Sequence, residues 1–165
     1  MAYSRAQTRF LGGLVLIAVL VADQWSKAGV VEFSHIHFFP YEITSFFSLV
    51  VAHNQGVSFG MLGHGNTALP LIITLFTSAV VVMLAVWWAR AAESGVILGL
   101  SFIIGGAVGN ILDRARFGAV TDFLDFHWRN HHWPAFNVAD SCIFIGVVIL
   151  LLLSIVAPAP VPKKD

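Results

Sequence analysis

Long apolar runs separated by short polar segments dominate this chain, and the runs have the lengths of membrane-crossing helices. Crossing the hydrocarbon of a bilayer takes roughly 20 apolar residues in a helix. Ala68–Ala89 is uncharged over 22 residues, Ser94–Leu112 over 19 and Ser141–Val161 over 21. Phe10–Ala22 is uncharged for 13 residues, then meets Asp23 and Lys27 before more apolar sequence. Those two stand one helical turn apart, so the pattern predicts a helix that continues through them. Arg5 and Arg9 ahead of a short apolar stretch also fit a cleavable signal peptide. Four spans are predicted, at about 10–28, 68–89, 94–113 and 138–157, with the prolines of Ala157–Pro160 ending the last.

Composition moves the reading the same way. Of 165 residues 58% are hydrophobic and 11% charged, where soluble domains carry about 25% charged residues. Such a chain cannot cover a soluble globule with polar groups and is too apolar to stay disordered. Residues 1–165 therefore read as a single integral membrane domain. Nine basic residues balance nine acidic ones, leaving no basic surface for nucleic acid. The single cysteine, Cys142, excludes an internal disulfide and a multi-cysteine metal centre.

Four spans place both ends on one side. If that side is the cytoplasm, it carries five basic residues (Arg5, Arg9, Arg90, Lys163, Lys164) against two acidic ones, and the other side four against seven. The bias predicts an N-in, C-in arrangement. Trp87 and Trp88 then fall at the inner interface, and Trp25, Trp128 and Trp133 near the outer one. The outer segments are 29–67 and 114–137. The first is rich in Phe, Ile, Val, Thr and Tyr over His35–Val51, which predicts a few short strands ending near Asn54 and Gly56. The second reads as a loop bearing Trp, His and Arg. Long loops in compact proteins usually carry function, so chemistry is expected at the outer face.

Acids stand where they are expensive. A charge at mid-bilayer costs about 2.5–3.5 kcal/mol on insertion scales, yet Asp23, Asp113 and Asp140 lie at or just inside three of the four outer helix ends, and Asp122 follows nine residues after Asp113. Each has an ordinary explanation. Asp23 and Lys27 fit an i,i+4 ion pair with Lys27 snorkelling outward; Asp113 and Arg114 fit an ion-paired helix terminus. Asn137 and Asp140 have the spacing of a capping box, and Asp122 fits an ordinary turn. Separate end-caps, however, have no reason to share one corner of a bundle. Asn110, Asp113 and Arg114 lie at i, i+3 and i+4, on one helix face. Gly105 and Gly109 have the small-xxx-small spacing that lets membrane helices approach closely. The histidines at 35, 37, 127, 131 and 132 form no recognised metal-binding pattern, and Cys142 reads as a small core residue.

Five blocks in order carry a resemblance: Asp23-Gln24-Trp25-Ser26-Lys27, Asn54-Gln55-Gly56-Val57-Ser58-Phe59, the run from Gly105 to Arg114, Val120-Thr121-Asp122-Phe123, and Phe136-Asn137-Val138-Ala139-Asp140. On this four-helix frame the chain resembles the bacterial lipoprotein signal peptidases, or signal peptidase II. The resemblance implies a multi-pass enzyme of the bacterial cytoplasmic membrane, with its active site at the outer face under a small periplasmic β-cradle and a short extracytoplasmic loop or helix. It implies an aspartyl endopeptidase whose dyad is Asp122 and Asp140, supported by Asp23, Lys27, Asn54, Gly56, Gly109, Asn110, Asp113, Arg114 and Asn137. The implied substrate is a prolipoprotein, cut immediately before a cysteine that already carries diacylglycerol, by a monomer lying among membrane lipids without metal or other cofactor. The stretch 127–132 and the Pro-rich tail are not part of the pattern.

Physics makes the implied mechanism sensible. Two carboxylates about 4 Å apart repel by about 4 kcal/mol at an effective dielectric of 20, so one ionises and the other keeps its proton, and the pair titrates as a unit. Three other readings stay open on the residues alone. They are an ion pathway lined by the acids, a metal-dependent membrane protease using the histidines, and a structural bundle with capped helix ends.

Overall fold

The computed structural model describes residues 4–56 and 68–156. Four helices form the bundle: α1 (Arg5–Ser34), α2 (Ala68–Arg90), α3 (Ser94–Phe117) and α4 (Val138–Val156). Each is long and apolar enough to cross a membrane. Strands β1 (Tyr41–Thr44) and β2 (Phe47–Asn54) lie between α1 and α2, and β3 (Val120–Trp128) and β4 (His131–His132) between α3 and α4. Val57, Ser58 and Phe59 of the second motif and the Ala/Pro tail lie outside the described residues. Among the described residues no helix stands beside the four spans.

The first helix is longer than its apolar run. Ser4 caps it, accepting the Gln7 N–H while Gln7 accepts the Ser4 N–H, a reciprocal capping box. It then continues unbroken through Asp23 and Lys27 for 30 residues, about 45 Å at 1.5 Å per residue. The third helix also runs one turn past its predicted end. It stops at Gly118, whose φ of 72° is a left-handed conformation that a side chain would strain. The Gly118 N–H returns to the Arg114 carbonyl, closing the helix and sending the chain straight into β3.

At the centre of the bundle, α3 packs against α1, α2 and α4. Its glycines set how closely. A Cβ on Gly105 would lie 2.7 Å from the Leu16 carbonyl oxygen of α1, and one on Gly109 would strike the Asp23 carboxylate. Gly106 faces the other way, where a Cβ would lie 2.5 Å from the carbonyl oxygen of Ala139. Small residues on two faces thus bring α1 and α4 against α3 at the level of the acids. We expect Gly106→Ala to push back the first turn of α4, costing about 1–3 kcal/mol through overpacking. Because Ala139 adjoins Asp140, the same shift should displace that carboxylate; a lowered midpoint in thermal unfolding checks the packing cost.

The sheet is antiparallel in the order β1-β2-β3-β4. The strands predicted to end near Asn54 and Gly56 are present as β1 and β2, but β3 falls in a segment read as loop. The register shift against β2, between Leu49 and Ala52, places its extra residue in β2, but β3 carries an irregularity of its own that hides it from period-2 patterning. In β3 the N–H groups of Phe123 and Leu124 both donate to the Phe136 carbonyl. That bulge reverses side-chain parity, so Asp122 and Asp125, an odd number of residues apart, line the same cleft.

Candidate active site

A buried network joins α1, α3 and α4, at the end of the bundle that meets the sheet, to β3. At its centre is Lys27, 4% exposed. Its Nζ donates to Asp23 Oδ2 at 2.9 Å and Asn110 Oδ1 at 3.0 Å, and pairs with Asp113 Oδ2 at 2.9 Å. The expected i,i+4 pair is therefore present, but Lys27 turns inward instead of snorkelling. An ammonium between two carboxylates in a desolvated place gains more from them than from the distant interface. Asp113 likewise turns to Lys27 and not to Arg114. Asp113 also accepts the Thr121 N–H, tying α3 to β3, and the Gln24 amide. Asp23 Oδ1 accepts the Ala139 N–H at 3.0 Å, satisfying a donor that the first turn of α4 leaves open.

Asn110 and Asn137 carry this network to the two remaining acids. Asn110 accepts from Lys27 and donates to Asp140 Oδ1 at 2.8 Å. Asn137, fully buried, donates to Asp122 Oδ1 at 2.7 Å and to Asn110 Oδ1 at 3.2 Å. Its own Oδ1 accepts the Asp140 N–H, and its N–H donates to Asp140 Oδ2. The capping box is thus present, and its Asn side chain is also the bridge between the two acids. On the other side Asn54 donates to Asp122 Oδ2 at 3.0 Å and accepts the Gly56 N–H at 2.8 Å. Gly56 holds that turn with a φ of 96°.

Asp122 is 3% exposed. Burial, first, and then the charge of Asp140 raise its pKa to about 6, against the hydrogen bonds from Asn54 and Asn137 and the charge of Lys27. Asp122 borders a cleft of about 530 Å³ between β2, β3 and the segment after β4. Asp140 borders a second, largely apolar groove of about 470 Å³ along the first turns of α4, with Phe136, Phe144 and Ile145. Trp133 lines both.

Of the predicted residues, Asp23, Lys27, Asn54, Asn110, Asp113, Asp122, Asn137 and Asp140 share this connected network. Gly56 and Gly109 shape its backbone. Arg114 is the exception, its Nε buried without a hydrogen-bond partner. Sequence reasoning missed Gln24, which joins Asp23, Asp113 and Arg116. Its place between Asp23 and Trp25 in the first motif was the available signal. The backbone donors of Thr121 and Ala139 leave no trace in residue types. Among the described residues no three His, Cys, Asp or Glu side chains are placed to hold a metal ion.

Comparison with known proteins shows the family. Residues 15–156 match the family model of signal peptidase (SPase) II. A lipoprotein signal peptidase of Syntrophotalea carbinolica is 46% identical over 144 residues, covering 84% of this chain and 88% of that protein. One from Rhodopseudomonas palustris is 40% identical over 158 residues, covering 90% and 94%. A bacterial membrane enzyme solved by the in meso method at 2.3 Å superposes with a TM-score of 0.72 at 24% identity, over 94% of this chain and 93% of that one. A second such structure, at 1.9 Å, gives 0.71 at 25% identity over 90% and 94%. With a match over most of its length and relatives well above 30% identity, the chain belongs to the signal peptidase II family of membrane peptidases.

Proposed function

We propose that Asp122 and Asp140 are the catalytic dyad of an aspartyl endopeptidase that removes signal peptides from prolipoproteins, cutting immediately before a diacylglyceryl-modified cysteine. The observation that carries this reading is Asn137, one buried side chain that hydrogen-bonds Asp122 and caps the helix turn bearing Asp140. Two acids held by one rigid bridge, each opening to a different groove, are arranged to work on opposite sides of one peptide bond. The substrate fits those grooves by polarity. The apolar groove along α4 suits the hydrophobic part of the signal peptide and the acyl chains, which remain in lipid. At about 0.8 kcal/mol per buried methylene, two chains supply strong localisation.

A carboxyl group with its pKa near 6 keeps its proton to higher pH than an ordinary carboxylate, so Asp122 is the member of the pair that holds the shared proton. Asp140 takes a proton from a water molecule as the water oxygen attacks the scissile carbonyl carbon. Asp122 gives its own proton to the carbonyl oxygen. On collapse of the tetrahedral species the C–N bond breaks, and the proton taken from water passes to the departing amine of the cysteine. The signal peptide leaves with a new carboxylate, and the dyad returns with one proton. Asp23, Lys27, Asn54, Asn110, Asp113 and Asn137 position the two acids; Gly56 and Gly109 give the backbone room. Arg114, near both acids, adds a positive charge beside the dyad.

By the distribution of charged residues, both termini are cytoplasmic and the site is at the outer face of the bacterial cytoplasmic membrane. The whole chain acts as one domain and as a monomer. The test is cleavage of a diacylglyceryl-modified prolipoprotein by the purified protein, with chelator present throughout, across pH 5 to 8. Because the protonated form of Asp122 is the active one, kcat/KM should fall as the pH rises through about 6, by about tenfold per pH unit well above it. A rate that instead rises toward pH 8 would reverse the roles of the two acids, and no cleavage at any pH would defeat the reading.

A further inference from the structure

The cleft beside Asp122 holds a second carboxylate that the dyad does not use. Asp125 is 6% exposed, and both its oxygens lie within hydrogen-bond distance of His132 Nδ1, at 3.0 and 2.9 Å. Both residues line the cleft. A carboxylate only accepts, so the proton sits on Nδ1, and in the neutral imidazole Nε2 is left as an acceptor. The ring is fixed a second time, stacked on His127 with centroids 4.9 Å apart. His127 is itself held by the Ser48 hydroxyl, 3.1 Å from its Nε2. A chain of four side chains across β2, β3 and β4 therefore immobilises one imidazole whose side chain is 57% exposed. The bulge at Phe123–Leu124 is what aims Asp125 into the cleft that Asp122 borders. A strand needs no such device merely to pair; a surface that must meet another backbone in fixed register does.

Polarity decides what meets it. The groove beside Asp140 is apolar and runs along a membrane-spanning helix, whereas the cleft beside Asp122 is walled by the sheet and contains His53, Asp125 and His132. A chain crossing the dyad from lipid to water lays its apolar part in the first and its polar part in the second. We propose that the Asp125–His132 couple docks the residues that follow the cysteine, His132 Nε2 accepting a backbone N–H of the substrate's extracytoplasmic side. The inference rests on the peptidase reading above and adds a binding element to it.

The experiment uses the full-length protein in lipid-containing micelles and two diacylglyceryl-cysteine prolipoprotein peptides. One ends in an amide directly after the cysteine, and the other carries six further residues. With the wild type, KM for the longer peptide should be about three- to tenfold lower, the factor that one or two hydrogen bonds supply. His132→Ala and Asp125→Asn should bring the ratio of the two KM values to about one, His132→Gln should restore part of it through its amide oxygen, and His131→Ala should keep the wild-type ratio. A merely structural role would change both peptides alike and leave the ratio intact. If Asp125→Asn fails to fold, His132→Ala decides, since that side chain is more than half exposed. Equal KM values in an active wild type, or a ratio that survives in the variants, would overturn the docking proposal and leave the peptidase reading standing. A wild type that cuts neither peptide would remove both.

Discussion

Asp122→Asn and Asp140→Asn should each reduce cleavage of a lipidated prolipoprotein by at least about 10³-fold, with the protein still folded. General acid–base catalysis by one positioned side chain contributes about 10²–10⁴-fold, and here both proton transfers pass through the pair. Folding should survive because the substitutions are nearly isosteric. Asp122 receives hydrogen bonds from Asn54 and Asn137, and an Asn in its place can accept only one of them, a loss of about 1 kcal/mol. Asp140 receives the Asn110 amide and the Asn137 N–H, and the same count applies. The double variant should be no slower than either single one, because residues acting as a unit are non-additive. Cleavage that survives in one single variant would take that residue out of the dyad and make Asp113 or Asp23 the next candidate. Loss of activity accompanied by loss of helix content would instead mark the residue as structural, so circular dichroism belongs beside the turnover assay.

The four spans were legible because a bilayer imposes one strong rule, that some 20 residues be apolar and helical. Where the rule weakened, so did the reading. The polar ends of α1 and α3 extend the helices beyond their apolar runs, held by the Ser4–Gln7 box and the Gly118 cap, and hydropathy does not register caps. The strands β1 and β2 showed as β-branched and aromatic residues between turn signals. β3 did not, since its bulge breaks the alternation and its two acids look like loop residues. The candidate site was legible as residue types at helix ends, and the five motifs located nearly all of it. Its wiring was not. That Lys27 points inward, and that Asp113 serves Lys27 and the Thr121 N–H, depends on which faces α1 and α3 present to each other. That in turn depends on Gly105 and Gly109 letting the two backbones close. The Asp125–His132 couple was invisible for a related reason, since spacing alone does not reveal a reversal of parity within a strand.

Lys27→Met should be the most destabilising single substitution in the network, by about 3–5 kcal/mol. Removing one partner of a buried ion pair leaves the other charge uncompensated, and here one ammonium serves two carboxylates, Asp23 and Asp113, that are 0% and 2% exposed. The methionine fills nearly the same volume, so packing contributes little to the loss. The damage should also reach the dyad. Asn110 Oδ1 loses its bond from Lys27, and the same amide positions Asp140 through its Nδ2. Thermal unfolding in micelles should show a markedly lower Tm, and the folded fraction should cleave poorly. Two companion variants separate charge from shape. Lys27→Arg keeps the charge but not the compact ammonium that fits between three acceptors, and should recover stability better than activity. Adding Asp23→Asn to Lys27→Met removes one stranded carboxylate and should regain part of the Tm with no return of cleavage. A Tm for Lys27→Met equal to that of the wild type would mean that Asp23 and Asp113 do not depend on Lys27 for their burial, and that the closure of α1 on α3 rests on the glycine contacts alone.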